Sequence, residues 1–181
     1  AGADRDFQPD VVLADGEWIE GEGWRLQALH TPGHTSNHLC FAWPQADALF
    51  CGDHVMAWST TVIAPPDGDM RAYMDSLDKL AARPEQTFWP THGNPIRDPG
   101  GFIAALAAHR RERRAKVLAA LTPEPQGPRR MVGPVYGAEL DPRLVGAAAQ
   151  SLLAHLIELR EEGLAAEEAG GWRLSGLQTP S

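Results

Sequence analysis

The sequence has few cysteines and no long hydrophobic run. Cys40 and Cys51 are the two cysteines among its 181 residues, too few for the disulfide framework of a small secreted protein. No uninterrupted apolar stretch approaches the roughly 20 residues that a membrane-spanning helix needs. We therefore expect a soluble protein without membrane partners, located in a reducing cytoplasm.

An initiator methionine and a leader peptide are also missing. The chain begins with a polar stretch, residues 1–10, rather than with a basic segment followed by an apolar one. We expect that it begins part-way through a longer protein. Its composition, 43% apolar and 22% charged, is typical of a globular protein with a substantial core.

The net charge of −8 is unevenly distributed. Residues 1–98 carry 6 basic and 15 acidic groups, residues 99–128 carry 5 and 2, and residues 129–181 carry 5 and 7. Only the middle segment is positive, so long-range attraction of nucleic acid by the whole chain is not expected.

The first half of the sequence favours β-strands with one helix. A hairpin is predicted around Asp15-Gly16, because Asp-Gly supplies the turn that two-residue hairpins need. The predicted strands are residues 11–14, 17–20, 24–30, 39–43, 48–51 and 87–90. Asp69 can cap a helix whose apolar residues, from Met70 to Leu80, recur at helical spacing. Together these elements predict an α/β layer.

The second half favours helices. A long helix with a basic middle is predicted over residues 102–121, and prolines at 123 and 125 end it. A short helix over 130–136, an amphipathic helix from Val145 and a small hairpin across Gly170-Gly171 follow, an order typical of a winged helix. We predict three regions: residues 1–98, a connecting helix and linker at 99–124, and a winged-helix-like domain at 125–181.

Three short motifs carry the chemistry, and each follows a predicted strand. They are Thr31-Pro-Gly-His-Thr35, Gly52-Asp53 and Thr91-His-Gly93. Imidazole and carboxylate ligands suit Zn²⁺ and, less selectively, Fe, Mn or Co. A carboxylate such as that of Asp53 can bridge two cations, and such a pair activates water at neutral pH. The motifs therefore indicate hydrolysis without a protein nucleophile.

The order and spacing of these motifs resemble the third, fourth and fifth metal motifs of the metallo-β-lactamase fold superfamily. Residues 65–70, Tyr73, Leu77, His109-Arg110 and residues 154–156 look like the β-lactamase-like subgroup that has a C-terminal winged-helix domain. The resemblance implies the C-terminal half of an αββα metallo-β-lactamase-type fold, followed by an all-α, winged-helix-like domain. It makes His34, Asp53 and His92 metal ligands, with Asp53 as the bridge at the catalytic centre.

The superfamily's first motif, H-x-H-x-D-H, does not occur in this sequence. In the family it supplies two histidines to one metal, and an aspartate and a histidine to the other. Two zinc ions per complete site are implied, whereas here each would have one histidine and the shared Asp53. We expect this chain to bind metal weakly, or not at all, and to catalyse poorly.

The other candidate residues have weaker predictions. His38 and His54 flank the ligands and are candidates to orient a ligating imidazole or carboxylate without binding the metal themselves. Cys51 is expected to be a small buried residue rather than a ligand. His109 and His155 lie on predicted helices, where packing or solvation is the default, and the basic stretch 110–116 is expected to be a solvated face.

The leading functional hypothesis is a metal-dependent hydrolase of an ester, thioester or lactone, acting on a small molecule. One alternative is a metal-dependent endoribonuclease, for which the basic stretch 110–116 would contact phosphates. Another is a non-catalytic winged-helix protein that binds nucleic acid or a partner. The predicted recognition helix carries Arg160 against three glutamates, so we expect this domain instead to cover the active-site mouth or to form a homodimer contact.

Overall fold

A computed structural model describes residues 8–176 of the chain. Its first part is a five-stranded sheet in which the strands are neighbours in chain order. The strands are β1 (Trp18–Gly21), β2 (Trp24–His30), β3 (Leu39–Trp43), β4 (Ala48–Gly52) and β5 (Thr87–Pro90). Strands β1 to β4 are antiparallel, whereas β5 runs parallel to β4. The parallel pair is joined by helix α1 (Met70–Ala81).

The two faces of this sheet have different surroundings. One face supplies Leu29, Cys40, Leu49 and Phe88 to a core that also contains buried residues of α1 and of α2 (Pro99–Ala120). On the other face, Phe50 pairs with Trp89 of the neighbouring strand, and these side chains remain 39% and 43% exposed. The sheet is therefore covered by helices on one side.

Helix α1 begins where the sequence predicts. Asp69 is its N-cap, and the carboxylate accepts a hydrogen bond from the backbone N–H of Ala72 at 2.8 Å. Met70, Tyr73 and Leu77 are buried against the sheet. The capping side chain satisfies a backbone donor that has no partner within the helix.

The second part of the chain has the order expected of a winged helix. Helices α3 (Pro128–Tyr136) and α4 (Val145–Glu161) precede an antiparallel hairpin of β6 (Ala165–Glu168) and β7 (Gly171–Leu174). Their apolar residues form a second core around Met131, Leu152, Leu156 and Trp172. The predicted succession of helix, helix and hairpin is confirmed.

Helices α2 and α4 contribute to both cores. Ile103 and Leu106 of α2 lie in the first core, whereas Val117 lies in the second. From α4, Ala154 packs into the first core, and the Ser151 hydroxyl accepts a hydrogen bond from the Ile63 N–H at 3.3 Å. The region boundaries at 98 and 124 remain predictions, since α2 joins the two cores rather than separating them.

The predicted first hairpin is wrong. Residues 11–14 form no strand, and β1 begins at Trp18 and pairs with β2 across the turn at residues 22–23. Val11 and Val12 are 68% and 81% exposed, so they gain no apolar contact that would favour a strand. Between residues 8 and 176, no helix is both long enough and apolar enough to cross a bilayer.

Candidate metal centre

The direction of the strands brings the three motifs to one edge of the sheet. β2 and β4 are both antiparallel to β3, and β5 is parallel to β4, so β2, β4 and β5 run in the same direction. The segments that follow them carry His34, Asp53 and His92. All three residues therefore lie beyond the carboxyl ends of strands, where functional side chains collect in α/β folds.

The loop that carries His34 packs against the start of α1. The Gly33 carbonyl accepts a hydrogen bond from the Asp69 N–H at 2.9 Å. A Cβ atom on Gly33 would lie 2.3 Å from the Tyr73 Cα, and the φ angle of Gly33 is +131°. Only glycine combines this backbone conformation with so close an approach, so Gly33 fixes the position of His34.

A backbone carbonyl selects the tautomer of His34. Its Nδ1 lies 2.7 Å from the carbonyl oxygen of Val62. Because a carbonyl can only accept, Nδ1 carries the proton, and the neutral imidazole keeps a lone pair on Nε2. The ring is therefore oriented by Nδ1 and has Nε2 available as a ligand atom.

Asp53 and His92 face each other across the neighbouring ends of β4 and β5. The Asp53 Oδ1 lies 3.7 Å from the His92 Nε2. That single oxygen is buried and has no hydrogen-bond partner among the described residues, although the Asp53 and His92 side chains as a whole are 37% and 56% exposed. A buried carboxylate oxygen without a partner is costly, so these two atoms could hold a cation together.

His34 lies further from this pair. β2 is separated from β4 by β3, and neighbouring strands lie about 4.8 Å apart. Within residues 8–176, no three His, Cys, Asp or Glu side chains are close enough together to hold one metal ion. The structure thus brings Asp53 and His92 together and places His34 at the same edge, outside that pair.

His38 is held by Thr31 rather than by a predicted ligand. Its Nδ1 lies 2.8 Å from the Thr31 hydroxyl, and its ring centroid is 6.4 Å from that of His34. A Cβ atom on Gly52, whose φ is +56°, would lie 2.6 Å from the His38 Nε2. Burial, together with the neighbouring His34, lowers the pKa of His38 to about 4.

His54 is buried beside His38, with ring centroids 5.6 Å apart. Its carbonyl accepts a hydrogen bond from the Tyr73 hydroxyl, but neither ring nitrogen has a partner among the described residues. Burial, with the nearby His38, lowers the pKa of His54 to about 3. In this structure neither His38 nor His54 hydrogen-bonds to a predicted ligand, so a role in orienting the ligands stays a prediction.

Cys51 packs as a small buried residue, as predicted. Its thiol donates to the Val55 carbonyl at 3.3 Å and is fully buried. Burial raises the pKa of this thiol far above its ordinary value. A thiol that resists deprotonation is a poor metal ligand.

The segment 53–64 connects the predicted ligands to the helices, and the sequence did not indicate this role. The Thr61 hydroxyl donates to the Asp53 carbonyl at 2.6 Å, and the Thr61 carbonyl accepts from the Arg110 guanidinium. The Val62 carbonyl accepts a hydrogen bond from the His34 ring, and the Ile63 N–H donates one to Ser151 of α4. Arg110 is 3% exposed, so the prediction that the basic stretch is a solvated face is wrong at this residue.

Comparisons with known families agree with this fold and these motifs. The model of the metallo-beta-lactamase superfamily matches residues 1–92, and that of the beta-lactamase associated winged helix domain matches residues 128–172. The chain therefore belongs to the metallo-beta-lactamase superfamily, and it carries the winged-helix domain associated with part of that family.

Individual relatives span more than this chain. It is 33% identical over 154 residues to the beta-lactamase-like protein 2 homolog of Drosophila melanogaster, covering 83% of this chain and 51% of that protein. It is 35% identical over 109 residues to an atrochrysone carboxyl ACP thioesterase of Aspergillus aculeatus, covering 60% of this chain and 34% of that one. A metallo-beta-lactamase family protein of Thermus thermophilus superposes with a TM-score of 0.80 at 28% identity, covering 92% of this chain and 54% of the other. The chain thus spans about a third to a half of the length of these relatives.

Proposed function

We propose that the protein is a metal-dependent hydrolase of small esters or thioesters, with Asp53, His92 and His34 as metal ligands. The observation that carries this proposal is the buried, unpartnered Oδ1 of Asp53, 3.7 Å from the His92 Nε2. Their separation exceeds hydrogen-bonding distance. Two atoms that bind one cation at about 2.1 Å in tetrahedral geometry lie about 3.4 Å apart. The spacing therefore fits a pair of ligands better than a direct contact.

His34 suits the same role because its tautomer leaves Nε2 free to bind. Two imidazoles and one carboxylate still fall short of the three or four protein ligands of an ordinary zinc site, especially if two cations share them. The sequence contains no H-x-H-x-D-H motif that would complete the set. We propose weak metal binding for this chain, and full activity for a protein that also contains that motif.

When bound, the cation would polarise a water molecule and offset the negative charge that develops during hydrolysis. The chain's own residues supply orientation: Val62 sets the tautomer of His34, and Thr61 fixes the backbone of Asp53. Nitrogen and oxygen ligands suit zinc first, with iron or manganese as alternatives. The thioesterase named above supports a thioester as substrate, since this chain is 35% identical to it over 109 residues.

No specific observation favours the endoribonuclease alternative. Arg114 pairs with Glu158 and Glu162, and Lys116 pairs with Glu112. These salt bridges engage positively charged side chains that would otherwise be available to RNA phosphates. The DNA-binding alternative is similarly unsupported, because α4 packs against both cores.

Metal analysis of Asp53→Ala tests the proposal. After dialysis against micromolar zinc, we expect the purified chain to retain zinc and Asp53→Ala to bind it at least tenfold more weakly, measured by mass spectrometry and by competition with a chromogenic chelator. Asp75→Ala is the matched control, because Asp75 is exposed on α1 and has no side-chain partner among the described residues. Unchanged zinc binding by Asp53→Ala would exclude Asp53 as a ligand.

A hydrolysis assay tests the substrate class separately. A protein that contains both this chain and the H-x-H-x-D-H motif should hydrolyse acyl thioesters, and the Asp53→Ala variant should lose at least a hundredfold in kcat/KM. If that protein binds zinc normally but hydrolyses neither thioesters nor esters, the proposed metal site stands and the proposed substrate class is refuted.

A further inference from the structure

A cavity of about 270 Å³ lies between the segment 59–62 and the C-terminal helices. Val62, whose carbonyl holds His34, contributes to its lining. Apolar walls come from Leu140, Leu144 and Ala148. The volume corresponds to about nine water molecules at their liquid density, which is room for a small organic molecule.

Two arginines make part of the cavity lining cationic. Arg110, Arg113 and His109 line it together with Tyr136. Among residues 8–176, no carboxylate lies within 4.0 Å of the guanidinium nitrogens of Arg110 or Arg113. By contrast, Arg114 on the same helix has two glutamate partners. Among the described residues, neither arginine of the cavity therefore has a carboxylate in salt-bridge contact with it.

Three contacts fix the orientation of the Arg113 guanidinium. One Nη donates to the Val135 carbonyl at 2.6 Å, the other lies 3.2 Å from the His109 Nε2, and the guanidinium stacks 3.9 Å above the Tyr136 ring. These contacts fix its orientation and neutralise none of its charge. A preorganised guanidinium loses less side-chain entropy when it binds a carboxylate.

Buried donors behind Arg113 add to the positive field. Arginine only donates, so the His109 Nε2 accepts from Arg113 and its Nδ1 carries the proton. That Nδ1 and the Nε of Arg110 are buried without a partner in the described part of the chain. Arg110 is 3% exposed, so its charge is weakly screened by solvent.

We propose that this cavity binds the carboxylate of a small apolar organic acid. The carboxylate would face Arg113, and the hydrocarbon part would lie against Leu140, Leu144 and Ala148. Charge-assisted hydrogen bonds to a fixed guanidinium favour a planar carboxylate, and the apolar walls favour a hydrocarbon body over an inorganic ion. This site does not depend on the proposed metal site.

Calorimetric titration with a matched pair of probes tests the proposal. The metal-free chain in EDTA is titrated with 2-naphthoate and with neutral 2-naphthamide, which has nearly the same shape. We expect the carboxylate to bind at least tenfold more tightly. Equal affinity for the two probes would overturn the proposal.

Variants on one helix locate the anion contact. Arg113→Gln should weaken naphthoate binding at least tenfold and remove the preference over the amide. Arg111→Gln should leave both unchanged, because Arg111 is exposed and has no side-chain partner among the described residues. An equal loss in the two variants would mean that net charge, rather than this site, attracts the acid, and would overturn the proposal.

A second pair of variants covers the case in which Arg113→Gln disturbs the fold. Ala147→Phe on α4 fills the cavity, which Ala147 lines, and should abolish binding while Arg113 is intact. Gln150→Phe, at an exposed position of the same helix, should have no effect. Unchanged binding by Ala147→Phe would place the acid elsewhere and overturn the proposal.

Asp53→Ala separates this proposal from that of the hydrolase. It should retain naphthoate binding, even if it loses zinc. Loss of acid binding in Asp53→Ala would instead place the carboxylate at the metal centre and refute a separate site.

Discussion

Replacing Gly33 with alanine should strongly destabilise the fold and displace His34. The added Cβ would lie 2.3 Å from the Tyr73 Cα and 2.4 Å from its backbone N, whereas carbon atoms in contact prefer about 3.5 to 4.0 Å. The neighbouring atoms belong to the backbone of α1, so no side-chain rotation relieves the overlap. The loop that carries His34 must therefore move by about 1 Å or more.

The expected cost has three parts. Alanine at a φ of +131° costs roughly 1 to 3 kcal/mol, and the overlap adds roughly 1 to 3 kcal/mol as overpacking does elsewhere. Weakening the hydrogen bond from the Asp69 N–H to the Gly33 carbonyl adds about 1 kcal/mol. The free energy of unfolding should fall by about 3 kcal/mol or more.

Urea denaturation followed by circular dichroism measures this loss. Gly23→Ala is the matched control, since Gly23 has a φ of +77° but nothing within 4 Å of an added Cβ. It should cost about 1 kcal/mol, through the backbone conformation alone. If Gly33→Ala is no more destabilising than Gly23→Ala, the close approach to α1 does not constrain the His34 loop.

Three further predictions concern the cores. Burial raises the pKa of the Cys40 thiol to about 12, and Cys51 is equally buried. Neither cysteine should therefore react with a thiol-specific reagent in the folded chain, whereas both should react in urea. Rapid labelling without denaturant would contradict their burial. Trp172→Ala should lower the free energy of unfolding by about 3 to 5 kcal/mol, because Trp172 is 3% exposed. Trp58→Ala should lower it by under about 0.5 kcal/mol, because Trp58 is 71% exposed. Similar urea midpoints for the two variants would contradict the role of Trp172 in the second core. Burial lowers the pKa of His155 below 6.5, so just below pH 6.5 the unfolded chain binds more protons than the folded one, and stability falls as the pH decreases. His155→Leu should make the free energy of unfolding less dependent on pH in this range. An unchanged pH dependence would show that His155 does not contribute to it.

The positions of most strands and helices could be predicted because each has a local cause. The apolar runs 39–43 and 48–51, and the cap at Asp69, are properties of neighbouring residues. The first hairpin was mispredicted because Asp15-Gly16 indicates a turn whether or not the residues before it form a strand. Whether residues 11–14 then form a strand depends on apolar contacts that Val11 and Val12 lack.

The ligand candidates could be named from their motifs, but their supporting contacts could not. The bond from His34 to Val62 joins residues 28 positions apart, and its acceptor is a backbone carbonyl, which every residue has. The burial of Arg110 could not be predicted for the same reason. The basic residues around it predict exposure, whereas the Thr61 carbonyl that it bonds to lies 49 positions away. Contacts of this kind depend on tertiary structure and leave no local pattern.

The sharing of α2 and α4 between two cores limits how freely this architecture can be rearranged. Replacing the winged-helix domain with that of a relative would remove Ala154, which packs in the first core. It would also remove Ser151, whose hydroxyl accepts the hydrogen bond from the Ile63 N–H. The segment that holds His34 would lose its anchor on α4. Exchange of the C-terminal unit between relatives is therefore expected to succeed only when α2, α4 and the segment 53–64 are exchanged together. These three pieces therefore act as one structural unit, although they are far apart in the chain.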